Sequence, residues 1–367
     1  MMRKRTRGYL KSTSFKKQKS ESVTVTVKIE DLPNEMLLKI FDYLDAKSLG
    51  DCAQMSQRFR SVICDISGGD WETVFKNNTN ILASSVYFAL SVGCKTLHLR
   101  QSKILMDSDA DIVAFNKLPK NNQIKDLDLS GFKDVIEGSM GDSARILRAC
   151  CSLEKLSMSC LDFEASPYVP SIIRNSSTLK FLDLSGCVGL DFKQIKRILS
   201  ACKKLKEVKF EMIDGLCPDS ISFICINLPK AIEKVNLSQQ KVDDDHLNTL
   251  VSGCKNIVEL NLCQTLITDR SLDPIIKNLS ESLESLVWSE TLDLKEIMKL
   301  KQLKCLKDFH CVFVSRKRAN KARDKLPHLI INKYIHKDTG KYVSDFSDYD
   351  KSEHSEQSDY DPYYDEW

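Results

Sequence analysis

A six-residue apolar pattern, L-x-x-L-x-L, limits what this chain can fold into more than any other feature. With any apolar residue allowed in each slot, it occurs at Ile124-Leu127-Leu129, Leu153-Leu156-Met158, Leu179-Leu182-Leu184, Leu205-Val208-Phe210, Ile232-Val235-Leu237, Ile257-Leu260-Leu262 and Leu283-Leu286-Trp288. Cys94-Leu97-Leu99 reads as an earlier copy and Leu306-Phe309-Cys311 as a later one. Steps between first positions are 30, 29, 26, 26, 27, 25, 26 and 23 residues. Self-similarity at such a period predicts a solenoid, with the short final copy as a cap.

The physics of one unit accounts for the spacing. Leu182 and Leu184 alternate with polar neighbours and point to one face of a short strand. The chain then turns at Ser185-Gly186. Ile195, Ile198, Leu199 and Cys202 follow at i, i+3, i+4 and i+7, one face of a helix, and Leu247, Leu250, Val251 and Cys254 repeat that spacing. One strand and one helix cannot enclose a core, but stacked units share a continuous one. The expected fold class is therefore α/β: a right-handed solenoid with strands on the concave side and helices on the convex side.

Alternation also selects the side chains that leave the core on the concave side, among them His98, Asp126, Lys155, Phe181, Asp183, Glu207, Lys209, Lys234, Asn236, Glu259, Asn261 and Val287. Their mixed signs do not make the basic track that a nucleic acid needs. Phe181, an aromatic among charges, has the character of a binding hot spot. Phe181, Asp183, Lys209, Lys234, Asn236 and Asn261 are the expected substrate-binding residues.

Fourteen cysteines raise the question of metal. Cys150 and Cys151 are adjacent, Cys217, Cys225, Cys305 and Cys311 lack C-x2-C pairing, and no two histidines stand at ligand spacing. Buried thiols acting as small hydrophobes are expected instead, with no metal and no cofactor. The chain holds no G-x-x-x-x-G-K-[ST], no G-x-G-x-x-G and no recognisable Ser/His/Asp or Cys/His motif, so no catalytic residue is assigned. The first residues are basic and polar, and no apolar run approaches the ~20 residues of a membrane span, so a soluble intracellular protein without membrane contact is expected.

Two resemblances sharpen this reading. "VDDDHLNTLVSGCKNIVELNL" (242–262) and "ITDRSLDPI" (267–275) resemble cysteine-containing leucine-rich repeats, whose cysteine lies three residues before the first leucine of the strand. Cys94, Cys151, Cys202 and Cys254 stand two or three residues before the matching slot. The resemblance covers roughly residues 80–312.

"LPNEMLLKIFDYLDAKSLGDCAQMSQRFRSVICD" (32–65) is different in kind. Leu32-Pro33 opens a helix with Pro in its first turn. Met36, Leu37, Ile40, Phe41 and Leu44 make an apolar stripe, and a second amphipathic segment carries Leu49, Cys52, Met55 and Phe59. The stretch resembles an F-box through Leu32-Pro33, Glu35, Leu37-Leu38, Ile40-Phe41, Leu44, Leu49, Ser56, Arg58-Phe59 and Trp71. It departs from that pattern at Gln54, Met55 and Phe59. The resemblance implies docking on the S-phase kinase-associated adaptor, and through it on a cullin, by Leu32, Pro33, Leu37, Ile40, Phe41, Leu44 and Leu49. Part of so wide a stripe must face the bundle's own core.

The ends carry opposite charge. Residues 1–28 hold nine Lys/Arg and one acid, and residues 338–367 hold ten Asp/Glu and two Lys. The clusters Arg3-Lys4-Arg5-Thr6-Arg7 and Lys16-Lys17-Gln18-Lys19 resemble a bipartite nuclear-import signal. The expected organisation is a basic arm (1–28), an F-box (29–76), a leucine-rich-repeat solenoid (77–312), a basic segment (313–337) and an acidic, disordered tail (338–367). The resemblance implies a non-catalytic substrate-recognition subunit of an SCF-type ubiquitin ligase, in nucleus and cytoplasm, holding a protein target on its concave face. The alternatives are a nuclear leucine-rich-repeat scaffold outside any ligase and, less expected, a nucleic-acid binder acting through the basic arm.

Overall fold

In every full copy of the repeat described, the three apolar slots point into one interior. The computed structural model describes residues 28–44, 48, 52, 55–66, 80–92, 95–106, 109–121, 123–134, 140–165, 167–289, 292–311, 316–331, 334–335 and 342–343. Within them, Leu153-Leu156-Met158, Leu179-Leu182-Leu184 and Leu205-Val208-Phe210 are all at 0% exposure, and the later copies through Trp288 differ by no more than 3%. The middle slot lies inside a three-residue strand: β4 (Asp126–Asp128), β5 (Lys155–Ser157), β6 (Phe181–Asp183), β7 (Glu207–Lys209), β8 (Lys234–Asn236), β9 (Glu259–Asn261), β10 (Ser285–Val287) and β11 (Asp308–His310). With β2 (Thr96–His98) and a last strand, β12 (Ile330–Ile331), they form a ten-stranded sheet in which all pairs are parallel. This is a solenoid of strand–helix repeats following an N-terminal helical region.

Hydrogen bonds continue past the strands. The N–H of the third slot donates to the next repeat: Met158 to Asp183 O, Leu184 to Lys209 O, Phe210 to Asn236 O and Leu237 to Asn261 O, each at 2.9 Å. Three residues after β2 and after each of β4 to β9, the backbone turns left-handed, at Gln101, Gly131, Cys160, Gly186, Met212, Gln239 and Gln264, with φ between 47° and 65°. A non-glycine residue pays ~1–2 kcal/mol there. The offset is a second ladder: N–H groups of Gln101, Gly131, Cys160, Gly186, Met212 and Gln239 each donate to the neighbouring repeat at 2.7–3.1 Å. Gly186 has a further reason to be glycine, since a Cβ would lie 3.0 Å from Cys160 Sγ.

The helices fall where the periodicity places them. Phe192–Ala201 buries Ile195, Ile198 and Leu199, and Asp191 caps it by accepting from the Gln194 N–H at 2.7 Å while Gln194 Oε1 accepts from the Asp191 N–H at 2.9 Å. Asp243 caps Asp244–Gly253 in the same manner. Cysteines end several helices. Cys202 and Cys254 are buried C-caps, as the spacing implies, but in the earlier repeat the buried C-cap is Cys150 and not Cys151, which is half-exposed. Three residues is the distance from the helix end to the first core slot, and Cys151 stands one residue too late. Cys94 lies outside the described residues. Burial pushes the thiols of Cys187 and Cys225 up to about 12 and those of Cys202 and Cys254 to about 11.

A buried amide ties two repeats together. Asn175 is at 0% exposure; its Oδ1 accepts from the Leu153 N–H at 2.8 Å, and its Nδ2 donates to Cys150 O at 3.1 Å and Ser171 O at 2.9 Å. Two features go beyond the repeat pattern. β1 (Asn80–Leu82) pairs in parallel with β3 (Lys103–Leu105) as a separate sheet. The basic stretch forms the helix Arg316–Lys325 and leads into β12, so the sheet continues past residue 312.

Candidate functional site

Two surfaces bear on function: the N-terminal helices and the open face of the sheet. The helix Asn34–Phe41 packs on Gln57–Ile66 through Leu37 and Phe41, at 0% and 1% exposure. Phe41 and Phe59 meet edge to face with centroids 5.4 Å apart. Ser56 caps the second helix by accepting from the Phe59 N–H at 3.0 Å. Arg58 reaches back from that helix and donates to Glu30 O, to Leu32 O at 2.6 Å and to Asn34 Oδ1 at 2.9 Å. One guanidinium fork thus fixes the turn that presents Leu32 and Pro33.

This geometry divides the residues expected to dock an adaptor. Pro33 is exposed, and Leu32, Ile40 and Leu44 are half-buried. Leu37 and Phe41 are a correction: they have no surface to offer, because they are the inner side of the same stripe and hold the two helices together. Leu49, Gln54 and Trp71 lie outside the described residues. Tyr43, absent from the expected set, is 91% exposed, and Met36 is 51% exposed. Met36 and Ile40 stand at i and i+4 on the helix and Tyr43 in the turn that follows it, an outer apolar stripe beside the buried one.

On the open face, strand register sets two rows. Asp126, Lys155, Phe181, Glu207, Lys234 and Glu259 form one, and Asp128, Ser157, Asp183, Lys209, Asn236 and Asn261 the other. All six expected substrate-binding residues lie in these rows, and four of them, Lys209, Lys234, Asn236 and Asn261, border a depression of about 190 Å³. Their side chains already have internal partners. Lys209 Nζ lies 5.3 Å from the Phe181 ring centroid and 3.9 Å from Glu207. Lys234 sits 2.6 Å from Glu259, which holds its ammonium above the usual lysine range. Asp183, Asn236 and Asn261 each accept, through Oδ1, the N–H two residues on at 2.9–3.0 Å, building the turn after the strand, and Asp128 does the same at 2.8 Å. Val287 is a further correction: expected outside, it is at 6% exposure. It borders the same depression, and an apolar side chain in that row gains from burial.

The helix side holds one arrangement that the sequence motifs did not reveal. His246 Nε2 is 2.9 Å from Ser222 Oγ, and His246 Nδ1 is 2.7 Å from Asp243 Oδ1. The order is that of a nucleophile relay, but Ser222 is in the interior of the helix Pro218–Asn227, whose backbone N–H groups are consumed by the helix itself and cannot form an oxyanion site. These contacts cap one helix and link it to its neighbour. Among the described residues no group of three or more His, Cys, Asp or Glu could hold a metal ion, and no helix is long and apolar enough to cross a membrane.

Comparison with known proteins agrees with the N-terminal reading. Residues 29–67 match the F-box-like family. No curated protein matches the chain. Among solved structures, the yeast complex of Rad7 and Elc1 contains a chain that aligns with a TM-score of 0.40 and 13% identity, covering 86% of this chain and 94% of that one.

Proposed function

We propose that this chain is the substrate-selecting, non-catalytic subunit of an SCF-type ubiquitin ligase. The F-box-like domain docks the S-phase kinase-associated adaptor, and through it a cullin, with Leu32, Pro33, Ile40 and Leu44 joined by Met36 and Tyr43. The open, concave face of the solenoid holds a protein target at a set distance, so that proximity accelerates ubiquitin transfer. The observation that carries this reading is an F-box-like domain at residues 29–67 with an exposed apolar stripe, followed by a long repeat surface. An amphipathic helix with such a stripe is what a groove on a partner takes up. The buried C-cap cysteines Cys150, Cys202 and Cys254 support the cysteine-containing repeat class. The basic clusters of residues 3–7 and 16–19 support a nuclear as well as a cytoplasmic location.

Affinity purification of the full chain under proteasome inhibition, read by mass spectrometry, tests it. Adaptor and cullin are expected with the wild type and lost from a Met36→Asp/Ile40→Asp variant that keeps its other partners. A wild-type purification without adaptor overturns the proposal in favour of a scaffold outside any ligase.

A further inference from the structure

Three consecutive repeats carry their acids away from one rim of the solenoid, the rim where helices end and the chain turns back to the sheet. No Asp or Glu occurs from 192 to 206, from 220 to 232 or from 246 to 258. Those stretches hold most of the helices Phe192–Ala201, Pro218–Asn227 and Asp244–Gly253 and the turns that follow them. Asp191, Asp219, Asp243, Asp244 and Asp245 stand instead at the starts of these helices. Lys203, Lys230 and Lys255 occupy the same place in each repeat, two residues before the core slots Leu205, Ile232 and Ile257, and all three are exposed. The stacking of repeats sets their spacing, with Asn256 Nδ2 donating to Lys230 O at 3.0 Å. Exposed Lys193, Lys196 and Arg197 stand at i, i+3 and i+4 on the first helix, and exposed Lys204 joins that stripe to the column. None of these seven cations makes an ion pair among the described residues, whereas Lys206, in the same turn, lies 2.6 Å from Glu233.

A cation just beyond a helix C-terminus complements the helix dipole, which accounts for Lys203, Lys230 and Lys255 one at a time. It does not account for Lys193, Lys196 and Arg197. They lie in the first six residues of a ten-residue helix, where the dipole opposes them, and like charges at i, i+3 and i+4 repel. An anion that spans the whole field relieves this repulsion. The field runs about 15 Å along the helix and about 10 Å across the three repeats, enough for several successive phosphates of one strand. Six of the seven cations are lysines, point charges that track a phosphate backbone without the bidentate geometry of a guanidinium. Phe192 and Phe223 are half-buried against each other, edge to face at 5.7 Å, so these helices offer no platform for an unstacked base. Ile226, 66% exposed, is the one large apolar side chain exposed on the three helices, too little to anchor them in a membrane surface.

We propose that this rim binds the phosphate backbone of double-stranded nucleic acid, as a site separate from the open face and from the basic arm. It does not depend on the ligase reading. The test uses the full-length chain and a fluorescent duplex of mixed sequence, read by anisotropy over a salt series. Lys196→Gln/Arg197→Gln/Lys203→Gln/Lys230→Gln should weaken binding at least tenfold at low salt and reduce the slope of log K against log salt by about 3, at ~0.9 per phosphate contact. Lys206→Gln/Glu233→Gln, which removes a pair whose charges already cancel, should change neither. The difference between these two variants should persist when the Lys and Arg of residues 3–7 and 16–19 are replaced by Gln in the full chain. Thermal melting confirms that each variant is folded. Absence of duplex binding by the wild type, indifference to the fourfold variant, or binding that vanishes once the basic arm is neutralised each overturns the proposal. So does a single strand bound as tightly as the duplex, or competition by polyglutamate or phosphatidylserine vesicles as effective as by unlabelled duplex.

Discussion

The outer stripe of the F-box-like domain can be tested apart from its fold, because Met36 and Tyr43 carry surface that the bundle does not use. Fully burying a large apolar side chain contributes ~1.5–3 kcal/mol. Met36 has about half of its surface left to bury and Tyr43 nearly all, at 51% and 91% exposure. Together they are worth about 3 kcal/mol on docking, and at ~1.4 kcal/mol per decade that is roughly a 100-fold change in affinity. Met36→Asp/Tyr43→Asp is therefore expected to weaken adaptor binding about 100-fold by isothermal titration calorimetry. Melting of the same variant should change little, since exposed substitutions away from special features stay within about 0.5 kcal/mol. Leu37→Ala is the control for the inner side: it should cost ~2–5 kcal/mol of stability. A change in Kd below about threefold for the surface pair, equivalent to less than ~0.7 kcal/mol, would refute the assignment of this stripe to the partner.

Four other expectations follow from the same geometry. Asn175→Ala strands a buried N–H and two buried carbonyls, and at ~1–3 kcal/mol for each unsatisfied group it should cost about 3–5 kcal/mol, with lost hydrogen-exchange protection at Leu153. Phe181→Ala should weaken capture of the protein target and leave adaptor binding unchanged, and pull-downs unaffected for both would remove Phe181 from the site. Burial raises the Asp244 carboxyl, but hydrogen bonds from Ser271 and Thr268 and the charge of Arg270 outweigh it, so its folded pKa lies below the usual value. That stabilisation is present above the unfolded pKa of ~4 and lost as pH falls through the folded value, so Asp244→Asn should destabilise the chain at pH 7 and make little difference near pH 2 in denaturant titrations. Cys217 is exposed, and hydrogen bonds from Ser220 lower its thiol pKa, so iodoacetamide at pH 8 should label it well before Cys187, Cys202, Cys225 or Cys254, as peptide mapping would show.

Most of the scaffold was legible along the chain. Leu182, Ile195 and Cys202 mark strand, helix and helix end because the apolar period of each element is a property of consecutive residues. The same reasoning placed Phe181 and Asp183 on the open face. It could not find β12, where two isoleucines are too short a run to stand out. It placed Cys151 where Cys150 belongs, because a repeat pattern read without its helix end tolerates a one-residue slip. Leu37 and Phe41 were assigned to a partner because an apolar stripe does not state which of its edges meets its own chain.

Periodicity alone determined that this protein is a solenoid of strand–helix units behind a small helical module, since burying a recurrent apolar row leaves no other economical arrangement. Tertiary structure decided which polar side chains remain available to others. Lys234 lies against Glu259 and Asn236 against Glu211, each pair some 25 residues apart, only because parallel stacking brings equivalent positions within hydrogen-bonding distance. Arg148 and Arg174 are brought together by the same stacking, the Arg174 guanidinium donating to Arg148 O at 2.8 Å. Whether a charge is neutralised depends on its neighbours in space, and those are set by the register between repeats.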